Sequence, residues 1–253
     1  MADVAVLLSA GRHPATGRLR PADRDSRALA LAGSLLAAGH SVTAVHAGPE
    51  DEPLRHYGGF GIGDLVRLAV QEEADALPAL AGWLARHRPA LVLAGAQAER
   101  GAGSGLLPYA LAGSLGGTCV PEVVAIEDLG DRVTLIQAQA GGRRRRLAAT
   151  LPTVVIAAHA APLPAGWAYG RAVRARLAVE PVAEQVPAAS SLRAEPARPL
   201  ARPVRKIRGG AAARMAAATS FTVGKGRLMV QPTPREAAEA IADYLAGEGL
   251  LQR

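Results

Sequence analysis

The sequence is poor in the groups that most often carry chemistry or staple a fold. One cysteine, Cys119, occurs in 253 residues, which excludes an internal disulfide and a multi-cysteine metal site. It stands between Thr118 and Val120, the setting of a packed, inert thiol. Aromatic side chains make up only 3% of the chain, so the core must be built from Ala, Leu and Val. No apolar run reaches the roughly eighteen residues of a membrane span, so no membrane insertion is expected. Met1-Ala2-Asp3-Val4 runs straight into an apolar strand without a charged n-region. That is the pattern of a chain with no signal peptide, and the cytoplasm is its expected location. No HxxxH, CxxC, HExxH or GxSxG occurs. The histidines (His13, His40, His46, His56, His87, His159) are scattered and suggest no ligand set. No carboxylate pair stands out for acid–base work. The expectation is a protein with no metal and no catalytic residues of its own.

Hydrophobic residues at 49% and charged residues at 20% describe a globular domain. The formal charge is +7, and much of the excess falls late, in Arg193, Arg198, Arg202, Arg205, Lys206, Arg208 and Arg214. Three readings fit this stretch: a nucleic-acid contact, an arm lying on an acidic partner, or a solvated linker. Almost no aromatic residue is interleaved with it, so a base-stacking platform is missing and no nucleic-acid partner is expected.

The first half alternates. Val4–Leu8, Ser41–His46, Asp64–Val70 and Ala90–Ala94 read as strands. About Ser26–Ala38, Glu52–Phe60 and Ala74–His87 read as helices, the first capped by Asp23 or Asp25 and ended by Gly39. Strand–helix alternation demands a mainly parallel sheet covered by helices on both faces, a Rossmann-like three-layer α/β/α fold. Val120–Glu127 and Arg132–Ala138, divided by Leu129-Gly130-Asp131, form a β-hairpin extension. Arg143–Ala149 reads as an edge strand guarded by charge. Leu151–Ala158 is the last strong strand. Arg171–Arg176 is a basic, helix-like piece. From Ala178 to about Ser220 the chain is rich in Pro, Ala and Arg and reads as an extended arm. Arg235–Leu245 is a terminal helix with Ala238, Ile241, Tyr244 and Leu245 on its apolar stripe. The expected division is a nucleotide-binding domain over 1–177 and an arm with a docking helix over 178–253.

The stretch Arg88–Gly117 organises the rest. Ala90–Ala94 is a strand buried on both faces. Gly95–Gly103 is a loop of small and polar residues, and Ser104 opens an apolar helix that Gly116 and Gly117 stop. Strand, glycine-rich loop and helix is a way to hold a phosphate on backbone N–H groups, with Ser104 as N-cap or phosphate-facing hydroxyl. The pattern is neither a P-loop nor GxGxxG. Locally, an ordinary β–α turn explains it as well. The loops Ser9–Gly11, Ala47–Pro49 and Gly95–Gly105 all follow strands, so they meet at one edge of a parallel sheet, where ligands bind.

The order of these segments resembles the beta subunit of an electron transfer flavoprotein. Val6-Leu7-Leu8-Ser9-Ala10-Gly11-Arg12 is similar to that family's opening VLVAVKR, and Arg20-Pro21-Ala22-Asp23 stands where it has NPFDE. Val45-His46-Ala47-Gly48-Pro49 resembles VSxGP, Leu93-Ala94-Gly95-Ala96-Gln97-Ala98 resembles LxGxQA, and Leu151-Pro152-Thr153-Val154-Val155 resembles LPAVV. Pro164–Arg176 resembles the loop and basic segment EPRYAxLPNIMKAKK. Ala96-Gln97-Ala98-Glu99-Arg100-Gly101-Ala102-Gly103-Ser104-Gly105-Leu106-Leu107-Pro108 is close to the GSQAExGEGSGMLP loop of beta subunits that serve demethylation of dimethylglycine and related methylated amines.

The resemblance implies an adenine nucleotide alpha hydrolase-like fold and a heterodimer. The alpha subunit carries the FAD that moves electrons, and the beta subunit binds AMP, or FAD in bifurcating members. A flavin-dependent dehydrogenase supplies the electrons, which pass toward the respiratory chain. The implied nucleotide contacts are Ser9, Arg20, Pro21, Ala22, Asp23, Ala47, and the loop Gly95, Ala96, Gln97, Ala98, Glu99, Arg100, Gly101, Ala102, Gly103, Ser104 and Gly105. The implied docking segment is Trp167, Tyr169, Gly170, Arg171, Val173 and Arg174. The family's acidic QAIDxD is shortened here to Gln97-Ala98-Glu99-Arg100-Gly101, and its docking leucine aligns near Gly170, so Tyr169 or Val173 takes that place. Two rival readings are a stand-alone nucleotide-binding protein of the same superfamily and a nucleic-acid-binding protein led by the basic arm. The hairpin, the arm and the terminal helix speak against the first.

Overall fold

The short apolar runs become neighbouring strands at the centre of one sheet. A computed structural model describes residues 1–49, 51–72, 74–101, 103–164, 166–182, 210–212, 215 and 228–247. They fall into two units, Met1–Ala194 and Glu195–Arg253.

In the first unit the strands are β1 (Asp3–Leu7), β2 (Ala10–Arg12), β3 (Leu19–Pro21), β4 (Ser41–Gly48), β5 (Asp64–Ala69), β6 (Leu91–Ala94), β7 (Thr118–Leu129), β8 (Arg132–Ala138), β9 (Arg144–Thr150), β10 (Thr153–Ala157) and β11 (Arg176–Pro181). The helices are α1 (Asp23–Ala37), α2 (Glu52–Gly58), α3 (Ala76–His87), α4 (Leu107–Ser114) and α5 (Tyr169–Arg174). Nine strands form one sheet in the order β11-β5-β4-β1-β6-β10-β7-β8-β9. Pairing is parallel from β11 through β7 and antiparallel in the β7–β8–β9 extension. The α/β fold with its hairpin extension is therefore as the alternation predicts.

Period-2 alternation divides each central strand between two cores. Val4 and Val6 of β1, Leu91 and Leu93 of β6 and Val155 of β10 pack on one face with Leu29 of α1 and Leu54 and Tyr57 of α2. Ala5 and Leu7, Val92 and Ala94, and Val154 pack on the other face with Leu80, Trp83 and Leu84 of α3 and Leu111 of α4. Burial on both faces is why these strands are apolar apart from Asp3 and Thr153 at the starts of β1 and β10. The outer strand β9 instead exposes Arg144, Arg145 and Arg146, charges that discourage pairing with another chain's edge.

Several local expectations are corrected. Ser9–Gly11 is not simply a loop: Ala10–Arg12 pairs antiparallel with Leu19–Pro21 as a separate two-stranded ribbon. Neither Asp23 nor Asp25 caps α1. The N-cap position is Ala22, and Glu99 Oε1, from the loop after β6, accepts from the Asp23 N–H at 3.0 Å. Ser104 is not the N-cap of α4 either. Leu106 holds that position, and Ser104 Oγ accepts from the Leu106 N–H at 3.2 Å in a turn before the helix. Ala178 does not begin an arm: it lies within β11, which pairs parallel with β5 at the sheet's other edge.

In the second unit, α6 (Pro234–Gly247) opens with a capping box. Thr233 N–H and Oγ1 both donate to Glu236 Oε2, at 2.9 and 2.8 Å, and the Glu236 N–H donates to Thr233 Oγ1 at 3.3 Å. These bonds hold the Glu236 carboxyl below its ordinary pKa. Ile241 and Tyr244 are exposed. The basic residues Arg193, Arg198, Arg202, Arg205, Lys206, Arg208 and Arg214 lie outside the described residues.

Candidate functional site

Chain order and spatial order part company at β1. The chain leaves it for β4 and β5 on one side, then returns to lay β6 on the other. Such a reversal opens a crevice beyond the carboxyl ends of the strands. Here a cavity of about 470 Å3 lies over the ends of β1, β4 and β6, a size suited to a small-molecule ligand.

Ser9 and Ala47 border this cavity, as do Gly95, Gln97, Ala98, Arg100, Gly101, Gly103, Ser104 and Gly105. Ala96 and Glu99 belong to the same loop without lining it, and Ala102 lies outside the described residues. Arg20, Pro21, Ala22 and Asp23 do not line the cavity. They fasten its wall: Arg20 Nη2 pairs with Glu99 Oε2 at 3.0 Å, Arg20 Nη1 pairs with Asp23 Oδ1 at 2.9 Å, and Glu99 covers the start of α1. Gln97 ties the loop to itself and to α1, donating to the Gly103 carbonyl and accepting from Arg24. Arg100 pairs with Glu72 across the mouth.

Gly101, Gly103 and Gly105 have φ of +68°, +53° and +72°. A side chain is strained at each, and a Cβ on Gly105 would stand 2.9 Å from the Ala96 carbonyl oxygen. The loop is thus bent by left-handed residues alternating with others, the conformation from which concavities of backbone N–H groups are made.

Asp25 is the site residue that sequence reasoning missed. It is 5% exposed, yet it borders the cavity at the end of β1. Its Oδ2 accepts from Ser9 N–H at 2.6 Å and from Ser9 Oγ at 2.5 Å, and the Gly95 N–H donates to it as well. Burial raises its pKa from 3.8 to about 6, against the lowering effect of these donors and with a further push from Glu99. Tyr57 closes the rear: its hydroxyl accepts from the Ala22 N–H at 2.6 Å and donates to the Ser9 carbonyl at 3.0 Å. Burial and the nearby Asp25 charge hold this phenol well above its usual pKa. The clue to Asp25 was its register. It shares the buried face of α1 with Ala28, Leu29 and Ala32, where an acid needs a reason. His46, Glu72 and Asp75 also line the cavity unforeseen. Asp75 is committed to capping α3 through the Leu77 N–H at 2.9 Å.

Residues 8–184 match the family model for the electron transfer flavoprotein domain. The chain is also 44% identical, over 262 aligned positions, to an electron transfer flavoprotein subunit beta from Chromohalobacter salexigens. That alignment covers 99% of this chain and 96% of the relative. The chain belongs to the electron transfer flavoprotein family.

This electron transfer flavoprotein chain has a second surface feature, a shallow hollow between α2 and α5. Trp167, Tyr169 and Val173 line it with Arg55, His56 and Ala172, whereas Gly170, Arg171 and Arg174 do not. Trp167 is anchored by its Nε1 on the His56 carbonyl at 3.0 Å, and Arg171 Nε donates to the Gly59 carbonyl at 3.0 Å. Tyr169 and Val173 stay 72% and 60% exposed, which makes them the apolar surface available at this place. Among the described residues no helix is long and apolar enough to cross a membrane, and no cluster of His, Cys, Asp or Glu is arranged for a metal ion.

Proposed function

We propose that the chain is the beta subunit of a heterodimeric electron transfer flavoprotein whose cavity holds an adenine nucleotide, AMP or the AMP portion of FAD. The observation that carries the nucleotide reading is the cavity at the point of strand reversal, walled by a loop of three left-handed glycines. Backbone N–H groups of such a loop attract phosphate without needing a cation. That suits a cavity whose one arginine, Arg100, is already paired with Glu72. The residues present therefore fit a nucleotide held by neutral donors.

The redox chemistry belongs to the FAD of an alpha subunit, and this chain supplies surfaces. The exposed stripe of α6 and the arm before it would lie on that subunit. Trp167, Tyr169 and Val173 would meet a flavin-dependent dehydrogenase. The Ala96–Pro108 loop form favours one acting on dimethylglycine or a related methylated amine; the protein works in the cytoplasm and its electrons pass on toward the respiratory chain.

The test co-expresses the chain with its alpha subunit, denatures the purified complex and assays what is released. A yellow one-to-one heterodimer is expected to release one adenine nucleotide beyond the FAD of alpha. Gly105→Val should empty the site while leaving the sheet folded, because a β-branched residue is strained at φ +72° and its Cβ meets the Ala96 carbonyl. Wild-type nucleotide content in Gly105→Val, or no nucleotide beyond the FAD of alpha in the wild type, refutes the reading.

A further inference from the structure

One carboxylate takes both donors of Ser9 after β1 and a third from Gly95 after β6. Ser9 N–H, Ser9 Oγ–H and Gly95 N–H all point at Asp25. A serine hydroxyl has a single proton. Once that proton is committed, Ser9 Oγ offers the cavity only lone pairs. The Ser9 carbonyl and the Asp25 oxygens are acceptors too. On the far wall the balance is the opposite. There three left-handed glycines give the loop the conformation from which concavities of backbone N–H groups are made, and Ser104 Oγ, already accepting from Leu106, keeps its own proton to donate. That conformation sets donors at the loop against acceptors at β1.

We propose that Asp25 holds Ser9 as a hydrogen-bond acceptor, so that the β1 end of the cavity takes a donor group of the nucleoside and excludes phosphate. This rests on the nucleotide reading and deepens it. The donor is a ribose hydroxyl or the exocyclic amine of adenine, which share this chemistry. The phosphate then lies at the glycine loop. Exclusion has two parts. A phosphate oxygen at Ser9 would face lone pairs, and it would approach a buried carboxylate that is ionised at neutral pH and already feels the like charge of Glu99 from the loop. The cation beside Glu99, Arg20, is spent on it at 3.0 Å. Asp25 is a positioning residue and Ser9 is the one that meets the ligand.

The test uses the complete complex with its alpha subunit, stripped of nucleotide, and four probes: AMP, inosine monophosphate, 2′-deoxy-AMP and 3′-deoxy-AMP. Wild type should bind AMP about tenfold more tightly than the one analogue that lacks the donor facing Ser9, as one lost hydrogen bond of ordinary strength dictates. Inosine monophosphate will be that analogue if the donor is the amine, and a deoxy analogue if it is a ribose hydroxyl. In Ser9→Ala the preference should collapse to about onefold, since the hydroxyl that accepts from the donor is gone. Asp25→Asn keeps the shape and removes the charge, so inorganic phosphate should compete with AMP several-fold better than in wild type. Equal wild-type affinity for all four probes overturns the proposal while nucleotide binding stands. So does a preference that survives Ser9→Ala, or phosphate competition unchanged in Asp25→Asn. A wild-type complex that binds none of the probes overturns the nucleotide reading instead.

Discussion

Replacing Asp25 by Asn should change how stability depends on pH, with a sign that burial dictates. In the folded chain the carboxyl titrates at about 6 against an ordinary 3.8, because burial disfavours the charged form more than the Ser9 and Gly95 donors favour it. The folded state therefore holds a proton that the unfolded state has released, over the window from about pH 4 to 6. The contribution of this group is full below the unfolded pKa and is lost as pH rises through the folded one. A rise from 3.8 to about 6, at ~1.4 kcal/mol for each tenfold change in proton affinity, makes the loss ~3 kcal/mol, undiscounted because the side chain is buried. Asn does not titrate. Its amide faces either Ser9 or Gly95 with the wrong polarity, which costs ~1–3 kcal/mol at every pH. The informative quantity is thus the difference between variant and wild type in urea unfolding of the complex at several pH values. Asp25→Asn should gain on wild type by ~2–3 kcal/mol between about pH 4 and pH 7. A difference that stays constant across that range would refute the assignment. Glu99→Gln should flatten the wild-type dependence in part, since the Glu99 charge raises the Asp25 pKa further.

Two further outcomes follow from the packing. Gly95→Ala should destabilise the fold by ~1–3 kcal/mol in a denaturant titration, because the added Cβ overlaps the Asp25 carboxylate and stands 2.9 Å from the Arg24 carbonyl carbon; unchanged stability would mean that α1 can retreat from β6. Val173→Asp, at a position 60% exposed, should leave stability within ~0.5 kcal/mol and slow reduction of the complex by the dehydrogenase; an unaltered stopped-flow rate would remove the α2–α5 hollow from consideration as the docking surface.

The sheet was legible because its central strands are buried on both faces and so appear as uninterrupted apolar runs. The features that escaped notice depend on distant partners. The ribbon of Ala10–Arg12 and Leu19–Pro21 has three residues per strand, too few to show alternation. β11, Arg-Leu-Ala-Val-Glu-Pro, is an edge strand with mostly exposed side chains, and its composition matches that of the arm that follows. Capping rules search the few residues around a helix start, so they assigned Asp23 or Asp25 to α1, whereas the carboxylate there comes from Glu99, 76 residues away. In the loop, the small residues marked a close approach correctly. The left-handed Gly105 delays the helix past Ser104, and a conformation of that kind leaves no mark beyond the glycine itself.

Asp25 is where the fold alone gives an incomplete account. Nothing in the packing of α1 against β1 and β6 requires a charge: an apolar residue in that register would bury well beside Ala28 and Leu29, and the Ser9 hydroxyl could turn elsewhere. The protein instead keeps a carboxylate whose burial works against it at neutral pH, and it keeps glycines against both acids of the cluster. A Cβ on Gly11 would stand 2.7 Å from Glu99 Oε2, and one on Gly95 would overlap Asp25. Strain and charge gathered beside a cavity point to function more than to stability. What the carboxylate secures is direction: a hydroxyl that would otherwise donate or accept is held as an acceptor, facing a loop that donates. A ligand with donors at one end and phosphate at the other then has one way to enter.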